Sequence, residues 1–150
     1  MNRLALLAAG AAGLTALTAA PAFADTPETP TATATSCGPS GLQAGLSTRV
    51  CAEVTGTTVE FYGTVALAGP PSPGSPAPAP KELLTTLSVE VAGGGAPVTR
   101  RAPVVFTSST LAIPGEAASA PCGSTVRATF GVASFPWAAR PVVHEVTLDC

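Results

Sequence analysis

An antiparallel β-sandwich of about seven strands, stapled by two disulfides, is the fold that this 150-residue sequence predicts. Three observations carry it. Short segments alternate apolar and polar residues with period two, the spacing of a strand with one buried face. Turn-forming Gly and Pro separate those segments at short intervals. Four cysteines stand behind an apolar N-terminal leader, the usage of an exported chain held by disulfides.

The leader comes first. Met1–Arg3 carries one positive charge, an uncharged apolar run follows, and Ala22-Phe23-Ala24 fits the small-x-small pattern of a secretory cleavage site. Residues 1–24 are therefore read as a signal peptide. Cleavage leaves 126 residues (150 − 24), one domain. Asp25–Ser36 is rich in Thr, Pro and Ala without apolar period and is expected to be a disordered tail, so the folded part, residues 37–150, is expected to begin near Cys37.

The strand segments follow. TRVCAEVTG is a short β-type run ending at Gly56. In TTVEFYGTVALAG, Val59, Phe61, Val65 and Leu67 share one face and Glu60, Tyr62 and Thr64 the other. LLTTLSVEVAG repeats the pattern, with Leu83, Leu87, Val89 and Val91 in phase. Gly93–Pro97 is a turn. VTRRAPVVFTS and STLAI read as strands broken by Pro, of the kind found at sheet edges. STVRATFGVAS places Val126, Ala128, Phe130 and Val132 on one face, and PVVHEVTLDC places Val142, Val146 and Leu148 on one face. Such a series has immunoglobulin-like architecture in the broad sense, with a jelly roll or small barrel as the alternative. Between the two strongest segments, residues 69–80 hold six prolines, cannot join a ladder and favour an extended loop. Pairing the flanking strands symmetrically about that loop would set Phe61 opposite Val89 and Glu60 opposite Glu90.

Four cysteines allow three pairings. Cys37 and Cys51 enclose a turn-rich stretch, while Cys122 and Cys150 are in phase with inward-facing residues of the last two strands. The expected pairs are Cys37–Cys51 and Cys122–Cys150, with both members of the second pointing inward and the last strand running to its final residue. Without a C-x-x-C motif, these cysteines read as structural staples.

Function is bounded more by exclusion than by motif. The formal charge of −2, about −3 after loss of Arg3, lacks the basic patch of a nucleic-acid binder. No second long apolar run follows the leader, so no membrane association is expected after cleavage, and no metal-ligand spacing or cofactor motif is present. The many Ala, Gly, Pro and Val residues, with one Lys and one Asn, suggest a GC-rich bacterial source. Nucleophilic catalysis must use His144, the sole histidine, which no G-x-S-x-G elbow accompanies and which reads as structural. A glycosidase would need paired carboxylates, for which only Glu60 and Glu90 offer themselves. The dibasic Arg100-Arg101 reads as a solvated strand edge. The loop Ser134–Pro141 holds the only Trp, Trp137, with Phe135 and Arg140, side-chain types that anchor binding sites. Either these rings are exposed, or Trp137 folds back to cap the core. The sequence thus predicts a secreted, non-enzymatic binding or structural module whose partner is an extracellular protein, a wall polymer or a small apolar ligand. Its binding candidates are Phe135, Trp137 and Arg140. The alternatives are a protease inhibitor presenting residues 38–50, with Arg49 near its end, or a hydrolase.

Overall fold

The computed structural model describes residues 32–107 and 110–150. The expected leader, residues 1–24, and the first part of the expected tail, residues 25–31, lie outside them. Among the described residues, nine strands form two antiparallel sheets. They are β1 (Thr33–Cys37), β2 (Gly41–Gln43), β3 (Leu46–Thr55), β4 (Thr58–Leu67), β5 (Lys81–Val91), β6 (Val98–Phe106), β7 (Leu111–Ser119), β8 (Thr125–Ala133) and β9 (Val142–Thr147). One sheet has the order β1-β3-β4-β7, with β2 following β1 along the same edge of β3; the other has the order β6-β5-β8-β9.

The alternating residues meet between the sheets. Val50, Val59, Phe61 and Val65 of the first sheet face Leu83, Leu87, Val126, Phe130 and Val132 of the second, all buried. Gly63 makes room for this contact: a Cβ there would stand 2.4 Å from the Phe130 ring. The inward hydroxyl of Thr85 is satisfied by the Ala102 carbonyl at 2.9 Å. The Pro-containing strands β6 and β7 occupy sheet edges, where a missing N–H costs no ladder bond. In β7, Gly115 and Glu116 together oppose Phe61, a bulge just after Pro114.

Four expectations are corrected. First, β4 and β5 do not pair. β4 lies between β3 and β7, and β5 between β6 and β8, so residues 69–80 cross from one sheet to the other. Alternation marks the inward face of a strand, and strands in facing sheets share that phase as well as paired ones do. Second, the described residues form nine strands rather than about seven, because β1 and β2 add an edge to β3. Third, Thr33–Ser36 is not disordered tail but most of β1, laddered on Ala52–Thr55. Its side chains are exposed, so the strand is held by backbone bonds and the Cys37 bridge rather than by burial. Fourth, β9 ends at Thr147, and Cys122 and Cys150 are exposed, not inward.

Both disulfides join the expected partners. Cys37 and Cys51 are directly opposite across β1 and β3, with Cα atoms 4.0 Å apart, and Cys122 and Cys150 are 5.5 Å apart. Beyond β9 the backbone still holds, since Leu148 exchanges bonds with Ser124 and Gly123 and its side chain is fully buried. Two disulfides are compatible with an oxidising, extracellular environment.

Candidate functional site

The loop between β8 and β9 begins with a tight reversal. Ser134 and Trp137 exchange backbone hydrogen bonds as an isolated bridge, and the Phe135–Pro136 peptide within it is cis. The Ser134 hydroxyl donates to the Glu82 carbonyl at 2.9 Å, fixing the loop to β5. The reversal turns both rings outward: Phe135 is 99% and Trp137 64% exposed. Trp137 therefore does not cap the core.

The rings stand over an apolar part of the second sheet's outer face. Leu84 lies opposite both Pro103 and Ala133, and Val105 lies opposite Glu82, so these side chains share that face. Leu84 and Val105 are each about half exposed. Between this floor and the wall of Phe135, Pro136 and Trp137 runs a cleft of about 700 Å³, with Glu82 on its lining. On the other side of Trp137 is a hollow of about 400 Å³ bordered by Leu42, Lys81 and Arg140. Lys81 donates to the Ala44 carbonyl in the β2–β3 turn. Trp137 is thus the partition between an apolar cleft and a cationic hollow.

The base of the loop rests on Gln43, which the sequence reading missed. Its carboxamide is buried and uses every bond it can make. Nε2 donates to Thr48 Oγ1 (2.8 Å) and to the Phe130 carbonyl (3.1 Å), while Oε1 accepts from the Val132 (2.9 Å) and Arg140 (3.1 Å) backbone N–H groups. One side chain so ties β2, β3, β8 and the loop together. A lone Gln in a three-residue strand leaves no periodic trace. The cleft floor did leave a signal: the doubled apolar residues Leu83-Leu84 and Val104-Val105 break alternation and place one member of each pair on the outer face.

The other sequence candidates are placed elsewhere. Glu60 and Glu90 lie in different sheets and form no catalytic pair. Glu60 is opposite Glu53, and Glu90 is 3.7 Å from Arg127, whose Nε is 3.5 Å from Glu145. Arg100 reaches Glu116 at 3.7 Å from the β6 edge. Residues 38–50 are not a free loop, since Gly41–Gln43 and Leu46–Val50 are strands and Arg49 lies opposite Thr64 inside the sheet. His144 Nε2 is 2.8 Å from the Ser36 hydroxyl, with its ring edge-on to Phe61 at 6.4 Å between centroids. Partial burial pushes its pKa below the ordinary histidine value. Neither residue lines the clefts described above, and no carboxylate bonds the imidazole among the described residues. No cluster of potential metal ligands occurs among the described residues.

What this arrangement can do chemically is bind. Exposed aromatic rings over an apolar floor remove water from a ligand's apolar surface, and the flanking polar groups orient it. The chain matches no protein-family model, and it shows no significant match to a curated protein or to a solved structure.

Proposed function

We propose that this protein is an exported, non-enzymatic binding module that holds an apolar partner group in the Trp137 cleft. The observation that carries this reading is the outward placement of Phe135 and Trp137 beside Leu84 and Val105. Large apolar side chains grouped on a surface keep a hydration cost that a partner relieves, and aromatic anchors dominate binding energy where they occur. The leader-like N-terminus supports export, as do the two disulfides. The connections of β3–β9 support an immunoglobulin-like reading of the sandwich: three of these strands lie in one sheet and four in the other, with β5–β6 and β8–β9 as hairpins.

The test is titration with the apolar fluorophore 8-anilinonaphthalene-1-sulfonate. Binding should shift Trp137 emission to the blue and should fall at least tenfold in Trp137→Ala and in Leu84→Asp, with far-UV circular dichroism unchanged. Equal binding by wild type and both variants would sink the assignment. One observation favours a second reading: the 2.8 Å Ser36–His144 contact has the spacing of a nucleophile and its base. Covalent labelling by a fluorophosphonate, abolished in Ser36→Ala, would establish that hydrolase instead.

A further inference from the structure

We propose that the occupant of the Trp137 cleft is the Pro-rich segment of a second copy of this chain, so that two molecules exchange their 69–80 loops. The inference rests on the cleft being a binding site and names what fills it.

The loop has the chemistry of a ligand. Residues 69–80 are exposed along their whole length, and after a turn at Ser72–Ser75 they run without regular structure into β5. Pro76, Pro78 and Pro80 alternate with Ser75, Ala77 and Ala79. Proline fixes its own φ, and each residue before a proline is held out of the helical region, so this stretch is pre-set as polyproline II. Such a segment makes no internal hydrogen bonds, and its carbonyls remain free to accept from a partner. Little conformational entropy is left to lose on docking.

The cleft has the chemistry of a receptor for it. Aromatic-lined grooves are where polyproline segments dock. Phe135 and Trp137 supply the rings, and the Trp137 indole N–H has no hydrogen-bond partner among the described residues. No residue of the 69–80 loop lines the cleft of its own molecule. The two features are nonetheless neighbours, because the loop ends where Lys81 begins β5 and Glu82 and Leu84 of β5 line the cleft. Loop and cleft at one end of the molecule suit a two-fold pair, in which each loop enters the other's cleft. Two such contacts closing together bind far more tightly than either alone.

Three measurements test this. Sedimentation of the purified protein from about 1 μM to about 1 mM, a range that brackets weak association, should show a mass rising toward twice the monomer. Trp137→Ala, and a variant with Pro76, Pro78 and Pro80 all changed to Ser, should each stay monomeric. Mixing those two variants should restore one contact. Trp137→Ala contains no tryptophan, so any saturable blue shift on mixing comes from the intact cleft of the Ser variant. A synthetic peptide of residues 69–80, added to wild type, should dissociate the pair and shift the same emission, a result that needs no variant to fold. A wild type that stays monomeric, or association that survives in both variants, overturns the exchange. If the apolar fluorophore still binds beside Trp137 in that case, the binding site stands and only its occupant is wrong; if it does not, both fall.

Discussion

Gln43 is the residue on which core and candidate site both depend. Its four bonds satisfy two backbone N–H groups, one carbonyl and one hydroxyl. Gln43→Leu removes all four bonds: the Thr48 hydroxyl keeps its bond to the Gly41 carbonyl (3.0 Å), while the Phe130 carbonyl and the Val132 and Arg140 N–H groups lose their side-chain partner. Each unsatisfied buried group costs about 1–3 kcal/mol, so the expected loss is about 3 kcal/mol or more in a urea melt. Trp137 emission should change in the same variant before unfolding, because the Arg140 end of the loop is released. His144 makes a separate prediction. Burial lowers its pKa, so the unfolded chain takes up a proton at higher pH than the folded one. The stabilisation is complete above the ordinary histidine pKa of about 6.5 and is lost as pH falls through that value toward the lower folded one. The melting temperature should therefore decline from pH 7.5 to pH 5, and His144→Gln should flatten that decline. An unchanged slope in the variant would show that His144 is not its source.

At the scale of the element, the β7 bulge is the most constrained feature. A Cβ on Gly115 would fall 1.7 Å from the Phe61 carbonyl oxygen and 2.3 Å from Leu87. The obstacle is backbone, which cannot rotate away. Gly115→Ala should cost about 3 kcal/mol, at the upper end of overpacking penalties, whereas Ala117→Ser on the exposed side should stay within about 0.5 kcal/mol. Denaturant midpoints of the two variants check the contrast. The elements themselves were legible where one face is buried: β4 and β8 show clean alternation, β5 does so from Leu87 to Val91, and the Pro residues mark β6 and β7 as edges. β1 was not legible, because TATSC is exposed on all sides and owes its place to backbone pairing that no side-chain pattern encodes. The crossover by residues 69–80 was not legible either, since phase is common to paired and facing strands. For the site, composition singled out Phe135, Trp137 and Arg140, but the direction of the rings depends on a backbone reversal and on Gln43, which lies 94 residues from Trp137 in sequence (137 − 43).

For the whole molecule, the two bridges set how stability is shared. On the chain-entropy estimate, Cys37–Cys51 contributes about 3 kcal/mol and the longer Cys122–Cys150 loop about 3.6 kcal/mol. Both are partly or wholly at the surface, so reductant should reach them without prior unfolding. Paired Cys→Ser variants should lower the melting temperature, the second pair more than the first. The same bridges decide how the protein responds to tension. A pull across the chain enters at Cys37, passes through sulfur to Cys51, and leaves from Cys122 through sulfur to Cys150. The segments inside the two rings carry no load. Between Cys37 and Cys150, only the 71 steps from Cys51 to Cys122 (122 − 51) can lengthen, to a contour of about 240 Å at about 3.4 Å per residue. Oxidised, the molecule is a tether of fixed maximum reach; reduced, it gains slack from both ends.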